Sequence, residues 1–106
     1  MYIKVNNKNI EIIECNSFKE RFKSLKFVID PITYGVKISN KRLISTYFFC
    51  QKVDIMVTDN NNKIIYLFEN IKSEKRKFLF KKYNIYYLPL NTVKYLKLND
   101  IINEKK

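Results

Sequence analysis

The residue in this sequence best placed to do chemistry is Asp54, a carboxylate set inside the otherwise apolar run Val53-Asp54-Ile55-Met56-Val57-Thr58. Burying a carboxylate costs several kcal/mol unless it is paired or hydrogen-bonded. The nearest plausible partners in the sequence are Thr46 and Arg21, which with Asp54 make a candidate polar cluster. Two roles stay open for it. Asp54 either ties loop amides together or serves as a carboxylate that holds a ligand. In the first role, Asp54→Ala is expected to cost roughly 1–3 kcal/mol of stability.

Catalysis is hard to assemble from the remaining side chains. The chain has no histidine to act as a base and no glycine-rich phosphate loop. Asp54 and Asp59 lie an odd number of positions apart, so on a strand they point to opposite faces rather than forming a pair. Cys15 and Cys50 are far apart in apolar surroundings, whereas zinc sites and disulfide scaffolds use short spacings. Both are read as small buried hydrophobes. No catalytic residue, cofactor or metal is expected, and an enzyme is not favoured.

The second chemically loaded stretch is KSEKRKFLFKK, which contributes Lys72, Lys75, Arg76, Lys77, Lys81 and Lys82. These six could track phosphates while Phe78 or Tyr83 stacks a base. In the plainer alternative the stretch is a solvated loop leading into a strand, its aromatics part of the core. The formal charge of +11 points to an anionic partner, but composition offers a competing cause. With 18 Lys, 13 Asn and 15 Ile against 3 Arg, 1 Gly and no Ala, the chain carries the signature of coding DNA poor in G and C. Scarce arginine also argues against dedicated base readout, since arginine forks onto guanine edges and phosphate.

The elements that must position these residues follow from pattern. Tyr2 to Val5 and Ile10 to Cys15 read as an opening hairpin turning through Asn6-Asn7-Lys8-Asn9. Ser17-Phe18-Lys19-Glu20 fits a capping box, and Phe18, Phe22 and Leu25 share one face of a short helix near residues 18–26. After Asp30-Pro31 an edge strand is expected through Gly35, which marks a bulge or a close backbone approach. Ser39-Asn40-Lys41-Arg42 is a polar break. The central element spans Leu43 to Ile71: an aromatic approach strand, then two apolar runs facing each other across the Asp59 to Lys63 turn. Val53, Ile55 and Val57 face the core, leaving Asp54, Met56 and Thr58 on the other face or in a second packed layer. The return run IIYLFE is expected to be covered on both sides. Tyr83 to Leu88 is a strand ended by Pro89, Thr92 caps a short helix near 92–96, and Asp100 to Asn103 is a last short strand.

Length and apolar content suit one domain over residues 1–106 with a single core. No apolar run approaches the ~20 residues a membrane helix needs. The N-terminus enters a strand pattern directly, without a leader pattern, so a cytoplasmic location is expected.

Ser45 to Ile71 and Tyr86 to Thr92, with Glu20-Arg21, resemble the uncharacterised conserved domain family catalogued as domain of unknown function number 192. The family's Thr-aromatic-aromatic-Met segment is matched by Thr46-Tyr47-Phe48-Phe49 and its Pro-Ile/Leu-Asp by Lys52-Val53-Asp54. An Asp-rich turn follows at Asp59 to Lys63, then Glu69-Asn70-Ile71, and Leu88-Pro89-Leu90-Asn91-Thr92 resembles the family's Leu-Pro-Ala-Gly-Thr. Ser45 stands for a family histidine, Phe49 for methionine, Lys52 for proline, and Ser24 and Asn91 for glycines, which marks a divergent member. The resemblance implies a small, mostly antiparallel β-barrel and no reaction.

The expected fold is therefore mostly β: a small single-domain antiparallel β-barrel or sandwich carrying the two short helices. The expected function is an accessory or binding module that takes a protein partner or small ligand at the barrel rim, away from membranes. Nucleic-acid binding by the 72–82 Lys/Arg segment is the alternative.

Overall fold

The computed structural model of the protein describes residues 2–5, 8–15, 32–45, 51–72, 75–102 and 104–105. Its strands are β1 (Tyr2–Val5), β2 (Lys8–Cys15), β3 (Gly35–Ser45), β4 (Val53–Thr58), β5 (Ile64–Ile71), β6 (Arg76–Leu88) and β7 (Glu104–Lys105). They form one sheet in the order β5-β4-β6-β3-β2-β1-β7. The fold is mostly β, as the strand-rich pattern implies.

The central hairpin arises from local chemistry. Asp59 turns the chain by accepting the amides of Asn61 at 2.9 Å and Lys63 at 3.0 Å through Oδ1. Asn62 supplies the left-handed backbone the turn requires, at φ 62°. β4 and β5 then pair antiparallel, Met56 opposite Leu67. β4 is buried on both faces: Val53, Ile55 and Val57 enter one apolar cluster, with Ile85 and Tyr87 of β6. Met56 enters a second cluster with Ile3, Ile64, Tyr86, Leu88 and Ile102. The second packed layer is thus present.

The sheet curls until the C-terminal run touches both of its ends. Ile101 bridges Lys63 just ahead of β5, with Ile64 N donating to Asp100 O at 2.8 Å and Ile102 N to Asn62 O at 2.8 Å. A few residues later β7 pairs with β1. One short segment therefore links the two edges, which would otherwise expose unpaired backbone groups.

Several local expectations are corrected. β3 is an interior strand, not an edge, between β2 and β6. It pairs parallel with β2, Ile12 opposite Gly35, a geometry only a long connection permits; the other strand pairs are antiparallel. Ser39 to Arg42 does not break the strand: register shifts between Ile38 and Leu43, with Asn40 at φ 59°, let β3 run through the polar residues. β5 is the sheet edge instead, so within IIYLFE only Ile64 is buried. The segment expected as a loop leading into a strand is already strand from Arg76, and β6 runs 13 residues to Leu88. The helix near 92–96 shrinks to a 3₁₀ turn at Val93–Tyr95, and Thr92 gives it no side-chain cap. The last strand falls at β7, after a single bridge at Ile101. The helix near 18–26 lies outside the described residues.

Gly35 marks a close approach. A Cβ there would sit 2.7 Å from Ile12 Cδ1, 2.8 Å from Leu88 Cδ2 and 3.2 Å from the Tyr87 carbonyl oxygen. Among the described residues, no helix is long and apolar enough to cross a membrane.

Candidate functional site

Asp54 occupies the junction of three chain segments. It lies near the start of β4, opposite Leu88 of β6, and is 1 % exposed. The pairing of β4 with β5 slips between Val53 and Ile55, and Asn70 adopts φ 56° at that irregularity. The slip turns the Asn70 amide onto Asp54 Oδ1, at 2.9 Å. From the other side, the turn after Pro89 passes through Asn91 at φ 65° and delivers two more amides. Thr92 N donates to Asp54 Oδ2 at 2.8 Å and Val93 N at 3.1 Å.

Asp54, rather than Thr92, thus receives the leading amides of the 3₁₀ turn. The Thr92 hydroxyl closes its own loop by donating to Pro89 O at 2.6 Å. An ionised carboxylate has about four acceptor positions, and backbone amides take three of Asp54's. A cavity of about 300 Å³ beside it is lined by Glu69, Asn70, Leu90, Asn91 and Lys94. Arg21 and Thr46 lie outside the described residues.

The basic segment takes a different shape. Lys72, Lys75, Arg76 and Lys77 form the rim of a cleft of about 440 Å³, floored by Ile44, Ile55, Phe68 and Ile71. Lys77 Nζ stands 4.3 Å from the Phe68 ring centroid, a cation–π contact that holds the ammonium over the apolar floor. None of the described lining residues is acidic.

Lys81 and Lys82 belong farther along β6 and do not line that cleft. Lys82 lines a second groove of about 470 Å³ with Asn40, Lys41, Arg42, Leu43 and Phe78. Five of the six basic residues are thus divided between two surfaces, and Lys81 lines neither.

Of the two candidate stacking rings, Tyr83 is half-buried and packs edge-on against Tyr66 at 6.1 Å. Phe78 is 75 % exposed and Phe80, which the sequence did not single out, is 81 % exposed, while Leu79 between them is buried. A readable signal existed in the polar-flanked alternation Phe78-Leu79-Phe80, which on a strand puts both rings on one face. Lys41 and Arg42, which the sequence presents only as part of a polar break, join the groove through pairing of β3 with β6.

Among the described residues, no group of three or more His, Cys, Asp or Glu is arranged to hold a metal ion. No family model and no curated protein matches the chain. Two solved structures share its fold. A protein of unknown function from Novosphingobium aromaticivorans superposes with a TM-score of 0.77 at 10 % identity, covering 97 % of this chain and 82 % of its own. A Sinorhizobium meliloti protein described as a "putative transcription regulator" superposes with a TM-score of 0.78 at 11 % identity, covering 96 % and 89 %. At such identities the likeness extends to the fold alone.

Proposed function

We propose that the chain is a divergent member of the family of domains of unknown function number 192, acting in the cytoplasm as a binding module. In this proposal it takes a small anionic ligand with an apolar body into the cleft rimmed by Lys72 to Lys77. Three of the stretches behind the family resemblance support the first half: Lys52-Val53-Asp54, Glu69-Asn70-Ile71 and Leu88-Pro89-Leu90-Asn91-Thr92. They are distant in sequence yet converge on one carboxylate. Asn91, standing where the family has glycine, adopts φ 65°, a conformation that glycine enters freely and asparagine tolerates best among the rest.

The observation that carries the ligand class is the cleft itself. Its volume of about 440 Å³ falls in the range of small-molecule sites. Its floor is apolar and Lys77 holds an ammonium over it, so a bare anion would leave the floor wet and a neutral apolar molecule would gain nothing from that charge. A carboxylate or phosphate on an aliphatic or aromatic body satisfies both.

Calorimetric titration with octyl phosphate, below its micelle concentration, against inorganic phosphate tests the assignment. Octyl phosphate is expected to bind at least tenfold more tightly, and Lys77→Gln to weaken it while Lys94→Gln, outside the cleft, does not. Equal affinity for the two phosphates, or equal effects of the two substitutions, would reduce the cleft to a patch of net charge.

A further inference from the structure

We propose that the outer face of the β3–β6 ribbon is a stacking platform for single-stranded nucleic acid, separate from the cleft on its other side. Past Lys41 and Tyr83 the two strands pair with each other: Leu43 faces Phe78, Ile44 faces Lys77 and Ser45 faces Arg76. β2 meets β3 only at Gly35 to Ile38, and β4 meets β6 only at Asn84 to Leu88. Among the described strands this half of the ribbon therefore stands beyond the sheet, anchored on the core by buried Ile44 and Leu79. Arg42 Nε donates to the Leu79 carbonyl at 3.5 Å, fixing its guanidinium across the ribbon.

Alternation separates the two faces. Ile44 and Lys77 line the cleft, whereas Leu43 and Phe78 line the opposite groove with Lys41, Arg42 and Lys82. Phe78 and Phe80 are both largely exposed; Phe80 lies where β6 carries extra residues between its Leu43 and Lys41 pairings, and at the ordinary strand rise the two are about 6.6 Å apart. That spacing is roughly twice the ~3.4 Å rise of stacked bases in a duplex. It suits two unstacked bases of an extended strand, each laid on one ring. Arg76-Lys77-Phe78-Leu79-Phe80 also has the basic-x-aromatic-x-aromatic order by which an RRM sheet offers rings to successive bases, though the fold here is different.

Biased composition accounts for abundant lysine, but not for aromatics turned outward between lysines. The same cations would oppose one another if two copies met through this face, which disfavours self-association as the reason for the exposed rings. With lysine outnumbering arginine, the backbone would be held by charge and the bases by stacking, without sequence readout.

The test is fluorescence anisotropy with a short labelled oligouridylate, its thymidine counterpart and a duplex of equal length, at about 50 and 200 mM salt. The variants are Phe78→Ala/Phe80→Ala and Lys41→Gln/Lys82→Gln, each checked for an unchanged melting midpoint and for oligomeric state. Both single strands are expected to bind more tightly than duplex. The phenylalanine variant is expected to lose at least tenfold in affinity with its salt slope kept, and the lysine variant to flatten that slope. Should the double variant fail to fold, Phe80→Ala alone is expected to lose about threefold, and photocrosslinking of a 4-thiouridine strand to label Phe78 or Phe80. Absence of binding at low salt, equal affinity for duplex, or phenylalanine variants that bind as the parent does would overturn the proposal. A dimer in the parent that the phenylalanine variant abolishes would assign the face to a second copy instead.

Discussion

Replacing Asp54 with alanine removes the acceptor for the amides of Asn70, Thr92 and Val93 at once. Asn70 is an exposed residue, so water can satisfy its amide. Thr92 and Val93 are buried, and their amides are left to the desolvation penalty of unpaired donors, about 1–3 kcal/mol each. Two such donors set a range of roughly 2–6 kcal/mol. Two effects reduce it: the variant no longer buries a carboxyl group, and the adjacent cavity of about 300 Å³ gives water a route to one amide. The expected net loss is therefore about 2–4 kcal/mol, a large share of the ~5–15 kcal/mol that typically holds such a domain. In thermal unfolding followed by circular dichroism, that loss corresponds to a fall of the midpoint by roughly 10–20 °C. Urea titration is expected to move the transition midpoint without changing its slope, because the same surface is exposed on unfolding. Asp54→Asn keeps one acceptor but turns an amide N–H₂ toward the other donors, and is expected to lose nearly as much. A melting midpoint within about 3 °C of the parent, less than 1 kcal/mol by the same scaling, would refute this account of the junction and free the carboxylate for ligand binding.

Two further perturbations test the backbone readings. Gly35→Ala is expected to destabilise by about 1–3 kcal/mol in chemical denaturation: the added methyl presses on Ile12, Leu88 and the unyielding Tyr87 carbonyl, and overpacking costs that much. Asn91→Val forces a β-branched residue to φ 65° and is expected to cost about 1–3 kcal/mol, whereas Asn91→Gly is expected to be neutral or slightly stabilising. A neutral Asn91→Val would mean the turn relaxes to another form.

Much of the fold was legible because its causes are local. The Asp59 to Lys63 turn, the two-sided burial of Val53 to Thr58 and the crowding at Gly35 all follow from side-chain parity and turn chemistry within a few residues. Parity also sufficed to mark Asp54 as a buried carboxylate needing partners. It could not name them, since the donors lie 16 to 39 positions away on β5 and in the turn after β6.

The sequence by itself determined the opening, central and Tyr83 to Leu88 extended runs, the turn at Asp59 to Lys63, and that a strongly cationic stretch precedes the Phe78-Leu79-Phe80 alternation. Only the tertiary structure decided which strand became the edge, that β2 and β3 run parallel, and that the C-terminal run links both ends of the sheet. It also set Lys72, Lys75 and Lys77 on a cleft and Lys82 on a groove, and left Phe78 and Phe80 outside. The reason is that alternation assigns residues to one face or the other, while the neighbour covering each face is set by pairing between strands far apart in the chain.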